Sequence, residues 1–155
     1  MQILKENLEK GYLVVKLSAD DKFEMMDTMS GLMVEKGFVK ESYTDAIKER
    51  EKVFPTGLPF EAYGVAIPHT DIEHVNTKAI MLGILEKPVE FVIMGTDDDT
   101  CQVEAAFMLA LTEPHAQLEM LQSLMAVCQD VSTLQTIKAA EDIDAITEIM
   151  DKLMA

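Results

Sequence analysis

Short β-prone apolar runs alternate with stretches whose apolar residues recur at helical spacing. This alternation restricts the fold more than any other feature of the chain. Leu13-Val-Val-Lys-Leu17, Tyr63-Gly-Val-Ala-Ile67, Ala79-Ile-Met-Leu-Gly-Ile-Leu85 and Val89-Glu-Phe-Val-Ile93 each read as a strand. Met25, Met29, Leu32 and Met33 share one helical face, as do Leu118, Leu121, Leu124, Met125 and Cys128, and again Ile143, Ile146, Ile149, Met150 and Leu153. Strand runs with so few polar positions need cover, so the pattern predicts an α/β sandwich around a largely buried sheet.

Local signals punctuate these elements. Ser18-Ala-Asp-Asp21 resembles a helix cap, and Gly37 suits the end of the helix that follows. Ser42 is placed to cap a second helix, with Asp45 in its first turn and Ala46, Ile47 and Val53 as apolar positions. Phe54-Pro-Thr-Gly57 then reads as a tight turn, Pro68 ends the strand before it, and Pro114 stands near the start of a later helix. Val103 to Leu111 fits a helix by its Ala, Met and Leu content and a central strand by its length and uniform apolarity. The 12 methionines, at helical spacing, read as core rather than as a pliable groove.

With 155 residues and no Pro/Gly-rich linker, repeat or low-complexity tract, residues 1–155 are expected to form one domain. The net charge of −15 opposes nucleic acid and anionic lipid and favours a partner with a basic face. Two cysteines, Cys101 and Cys128, fall inside apolar patterns and give neither a disulfide framework nor a four-thiolate metal site, which fits a reduced, cytoplasmic chain. The first residues lack a secretory pattern, and the longest apolar stretch, Ala105 to Leu111, is too short to span a bilayer, so no direct membrane insertion is expected.

The chemistry concentrates in Tyr63-Gly-Val-Ala-Ile-Pro-His69-Thr-Asp. A histidine that directly follows a buried strand, on a turn forced by proline, is held by rigid backbone at a sheet edge yet can face solvent. Its ordinary pKa of about 6.5 keeps most imidazole neutral at cytosolic pH, as nucleophilic attack on phosphorus requires. The nitrogen that does not attack needs an acceptor to fix the tautomer, and the phosphoryl oxygens need donors. Thr70, nearby amides and a basic side chain are candidates. A lone loop histidine is also compatible with a purely structural role.

Other chemistries find less support. His69, Asp71, Glu73 and His74 do not have a common zinc spacing, so no metal and no cofactor are expected. No G-x-G-x-x-G or Walker-type loop is present, so a nucleotide is not the phosphate source, and neither cysteine lies in a loop suited to a thiol nucleophile.

Ile47-Lys-Glu-Arg50-Glu-Lys-Val-Phe-Pro-Thr-Gly57, followed by Gly64-Val-Ala-Ile-Pro-His69, resembles enzyme IIA of the fructose/mannitol class of the bacterial sugar phosphotransferase system, and most of all its galactitol-type branch. The resemblance implies a single mixed β-sheet flanked by helices on both faces, and it makes Val103–Leu111 a strand. It implies a phosphoryl group carried on His69, arriving from the carrier HPr and leaving to a cysteine of a IIB protein, with the IIC permease served indirectly. It places Arg50 near the site as a fork-shaped cationic donor. Without the family, Arg50 reads rather as a partner for acids such as Asp45 on a solvated helix face than as a site residue. The chain departs from many members where a second histidine is expected: Gln117 occupies that place and His115 lies just before it, and either can face His69. The resemblance also admits a regulatory module in which phosphorylation of His69 controls a bound protein.

Overall fold

A computed structural model describes residues 1–155. Twelve elements follow in order: β1 (Gln2–Asn7), β2 (Tyr12–Leu17), α1 (Lys22–Glu35), α2 (Ser42–Val53), β3 (Gly57–Pro59), β4 (Gly64–Ala66), a 3-10 turn (Ile72–His74), β5 (Ala79–Val92), β6 (Thr100–Ala110), α3 (Pro114–Gln129), α4 (Val131–Ala139) and α5 (Ile143–Met154). The strands form one six-stranded sheet in the order β1-β2-β5-β6-β4-β3. It is mixed: β2 runs parallel to β5 and β4 parallel to β6, while β1–β2, β5–β6 and β3–β4 pair antiparallel.

Successive strand residues point to opposite faces, and both faces are covered. Leu13, Val15 and Leu17 pack with Met25, Met26, Met29, Leu32 and Met33 of α1 and Tyr43 and Ile47 of α2. Tyr12, Val14, Ile80 and Leu82 pack on the opposite side with Leu124 and Cys128 of α3, Leu134 and Ile137 of α4, and Ile146, Met150 and Leu153 of α5. In β6 the alternation is visible residue by residue: Phe107 and Leu109 join the second layer, Ala106 and Met108 the first. This two-sided burial explains why the segment is apolar without interruption. No helix is long and apolar enough to cross a membrane.

Several expectations need correction. The runs Ala79–Leu85 and Val89–Ile93 are not separate strands but the two ends of β5, joined through exposed Glu86, Lys87 and Pro88, where the pairing with β6 shifts register. Ser42 does not cap α2. Glu41 occupies that position without a side-chain hydrogen bond, and the Ser42 hydroxyl lies 2.8 Å from His74 Nδ1 instead. Within the cap signal before α1, Asp21 does the capping, accepting from the Glu24 amide at 2.9 Å. Val53 and Leu118, assigned to buried faces, are 67% and 63% exposed. Gly37 does end α1, with φ +80 and the Phe38 amide closing back on the Met33 carbonyl at 3.1 Å.

Gly64 sets how closely β4 can approach β6. A Cβ built there would collide with the backbone carbonyl oxygen of Gln102, which cannot swing aside as a side chain tip would. Gly64→Ala is therefore expected to cost about 3 kcal/mol through forced separation of the two strands. An unfolding midpoint in urea equal to that of the unaltered chain would contradict this.

Candidate functional site

The strand β4 delivers His69. Beyond Ala66, the Ile67 amide donates to the Thr56 hydroxyl oxygen at 3.2 Å, and the Pro68 carbonyl accepts the Leu109 amide at 2.9 Å. Leu109 is itself fixed, its carbonyl accepting from the buried Tyr43 hydroxyl at 2.6 Å. The backbone on which His69 stands is thus anchored to β6 and to the α2–β3 turn.

His69 Nδ1 lies 2.9 Å from the Ile67 carbonyl oxygen. A carbonyl can only accept, so Nδ1 carries the proton and Nε2 of the neutral ring keeps its lone pair. The ring is partly buried, and burial is the main cause holding its pKa below the ordinary histidine range. The Arg50 charge pushes in the same direction, while the Ile67 hydrogen bond and Asp71 oppose it. The imidazole is therefore neutral at physiological pH, with Nε2 unprotonated.

Arg50 and His69 line the same open cleft, of about 440 Å³, with Phe54, Thr56, Thr96 and Asp97 among its walls. Arg50 comes from the last turn of α2, and its guanidinium lies over the Phe54 ring at 4.4 Å. Its nearest carboxylate is Asp71, at 3.9 Å, and not Asp45, which faces Lys48. The Arg50 Nε is buried and has no hydrogen-bond partner. A buried donor without a partner is costly.

A second cleft, of about 150 Å³, is also lined by His69, with Ile67, Leu109, Gln117, Leu118 and Leu121 as its other walls. Gln117 is thus brought beside His69, and its amide donates to the Thr70 carbonyl at 3.4 Å. Because α3 begins at Pro114, His115 falls in its first turn, where it is exposed and lines neither cleft. Thr70 is buried and lines neither cleft. Cys128 is buried on the α3 side of the sheet, where burial pushes its thiol up to about 12, and Cys101 is also raised by burial.

Two residues of the site carried no assignment from sequence. Glu51 is only 2% exposed, and its carboxylate accepts both the amide and the hydroxyl of Thr56, each at 2.6 Å. Burial pushes its carboxyl up to about 7, against the Thr56 hydrogen bonds and the charges of Lys22 and Arg50. The only signal for this pair was its place inside the Arg50–Gly57 block.

The arrangement is a neutral histidine with one free ring nitrogen, an arginine held by an aromatic ring, and an open cleft between them. Its chemistry suits a phosphoryl group. The galactitol-specific EIIA component of Escherichia coli K12 is 30% identical over 121 residues, covering 78% of this chain and 80% of that protein. The transcriptional regulator ManR of Bacillus subtilis is 28% identical over 93 residues, 60% of this chain but 13% of the regulator. Among solved structures, the complex of enzyme IIA mannitol with phosphorylated enzyme IIB mannitol from Escherichia coli superposes with a TM-score of 0.73 at 22% identity, covering 96% of this chain and 98% of that one. The family model for EIIA 2 of the phosphoenolpyruvate-dependent sugar phosphotransferase system matches residues 6–153. The chain belongs to this EIIA 2 family, the phosphoryl-carrying components of sugar phosphotransferase systems.

Proposed function

We propose that this chain accepts a phosphoryl group from phosphorylated HPr on Nε2 of His69 and passes it to a cysteine of a IIB protein. The observation that carries the reading is the Nδ1–H hydrogen bond to the Ile67 carbonyl, which leaves Nε2 as the free nitrogen in a cleft shared with Arg50. In the first step the Nε2 lone pair attacks phosphorus while the nitrogen–phosphorus bond to the donor histidine breaks, the electron pair leaving with the donor ring. The phosphorylated His69 ring is then substituted on both nitrogens and bears positive charge, which the Ile67 carbonyl stabilises through Nδ1–H. In the second step a IIB thiolate attacks phosphorus and His69 leaves as a neutral imidazole.

Arg50 is the group proposed to balance the charge on the transferring phosphoryl oxygens. Gln117 and Thr70 support the loop, with the Gln117 amide able to turn toward a phosphoryl oxygen. His115, exposed at the helix start, is assigned no contact with the phosphoryl group. The reaction with HPr places the chain in the cytoplasm, serving a IIC permease through IIB. The relative specific for galactitol supports uptake of a galactitol-like polyol. The similarity to ManR supports the second reading, a IIA-like module whose phosphorylation on His69 controls a bound protein.

Incubation with enzyme I, HPr and phosphoenolpyruvate, followed by intact mass measurement under alkaline conditions, is expected to show one acid-labile phosphoryl group per chain. Adding a IIB protein should discharge it. Absence of the adduct, or its formation without HPr, counts against the relay. An adduct that no IIB protein discharges favours the regulatory reading.

A further inference from the structure

A chain of hydrogen bonds runs from the interior to the reactive ring. Glu51 accepts from the Thr56 hydroxyl at 2.6 Å, the Thr56 oxygen accepts from the Ile67 amide at 3.2 Å, and the Ile67 carbonyl accepts from His69 Nδ1 at 2.9 Å. The hydroxyl of Thr56 has one proton. Because Glu51 as a carboxylate can only accept, that proton points to Glu51, and the oxygen's lone pairs are turned toward Ile67. The Thr56 amide, also donating to Glu51 at 2.6 Å, holds the carboxylate in the orientation that makes this possible.

Glu51 and Thr56 are both buried, at 2% and 3% exposure, so water does not compete for these bonds. A buried carboxylate is costly unless its environment uses it. Here its bonds serve the residue whose carbonyl sets the His69 tautomer. Glu51 lies on α2 and Thr56 on the turn after it; Thr56 forms part of the cleft wall, whereas Glu51 does not line the cleft and has no hydrogen bond to His69.

We propose that Glu51 is a positioning residue for phosphoryl acceptance, acting through Thr56 and Ile67 to keep the His69 ring oriented with Nε2 free. This rests on His69 as the phosphoryl acceptor. The network has a defined polarity. Protonation of Glu51 turns one of its oxygens into a donor toward Thr56, whose own proton then loses its acceptor. The charged groups facing Glu51 are Arg50 on its own helix and Lys22 at the start of α1; both favour the carboxylate. Burial opposes them and brings its titration up to about 7, within the range a cell experiences.

Glu51→Gln is the informative variant, because it keeps shape but presents an amide donor to one of the two Thr56 groups. Thr56→Val removes the hydroxyl, and Thr56→Ser restores it. Glu51→Gln and Thr56→Val are expected to lower the rate of phosphoryl acceptance from phosphorylated HPr about tenfold, with Thr56→Ser close to the unaltered chain. The ratio of the unaltered rate to the Glu51→Gln rate should rise as pH increases through about 7, since only the unaltered chain gains the carboxylate. Nitrogen-15 spectra of the His69 ring should show the Nδ1–H form weakened in Glu51→Gln. Unaltered rate, pH ratio and ring spectrum, with a lowered melting temperature, would mean that Glu51 only stabilises the fold and would overturn the proposal. Should Thr56→Val not fold, Glu51→Gln with Thr56→Ser decides. Should the unaltered chain take no phosphoryl group at all, the carrier reading fails, and a ring spectrum equal in both proteins would refute the network separately.

Discussion

His69→Gln is expected to take up no phosphoryl group under conditions that fully label the unaltered chain, while remaining folded. Glutamine has no ring nitrogen with a free lone pair, and its amide nitrogen is not nucleophilic, so the bond to phosphorus cannot form. Its polar end can still meet the Ile67 carbonyl in place of Nδ1. The ring is partly buried and belongs to neither hydrophobic layer, so the expected stability loss is about 1 kcal/mol, the cost of one hydrogen bond. Intact mass and a urea melt on the same sample separate loss of chemistry from loss of fold; retained label would move the site to another residue. The unaltered ring should also titrate below the ordinary histidine value when followed by nuclear magnetic resonance. Burial and the Arg50 charge both disfavour the imidazolium, so the neutral, attacking form persists to lower pH than in a free histidine. A midpoint above the ordinary value would contradict the described environment.

What the sequence revealed and what it hid divide along physical lines. Segments buried on both faces, such as Val103–Leu111 in β6, are apolar throughout and so stand out, although choosing strand over helix there required the family resemblance. The edge strand β1 did not stand out. Gln2 and Glu6 are exposed, Lys5 and Asn7 are polar and half-buried, and the run looks like an ordinary chain start. The division of β5 into two readings came from Glu86-Lys87-Pro88, a polar interruption that the structure accommodates as a shift in register. At the site, His69 was legible because proline fixes the turn after a buried strand. Arg50 was legible only through the resemblance, and the choice between Gln117 and His115 depended on where α3 begins, a boundary that sequence places poorly. Glu51 was legible only as a member of the Arg50–Gly57 block, with no sign of its burial. It lies within Lys48-Glu-Arg-Glu-Lys52, which has the composition of a solvated helix face, and only the tertiary fold shows that one of these carboxylates is enclosed.

Arg50→Ala is expected to slow phosphoryl acceptance by about 10²- to 10³-fold, the typical consequence of removing one preorganised donor from a site where charge develops. Arg50→Lys should recover little of this. Lysine retains the charge but not the planar fork, and it supplies nothing equivalent to the buried Nε that now lacks a partner. Nor does it stack as a flat group on Phe54, the contact that holds the guanidinium in place at 4.4 Å. The fold should change by about 1 kcal/mol or less. The ion pair with Asp71 is long, at 3.9 Å, and its carboxylate is 71% exposed, so it contributes little to stability. That weakness has a functional side: Asp71 can release the guanidinium when a phosphoryl group arrives without a large penalty. Asp71→Asn therefore serves as the control. It removes the competing charge while leaving the Arg50 fork in place, and acceptance should stay within a few-fold of the unaltered rate. The rates come from rapid-quench measurements with labelled phosphorylated HPr. If Arg50→Ala kept the unaltered rate, charge stabilisation would have to come from elsewhere in the cleft. If Asp71→Asn fell as far as Arg50→Ala, the ion pair itself, and not a free guanidinium, would be what the reaction requires.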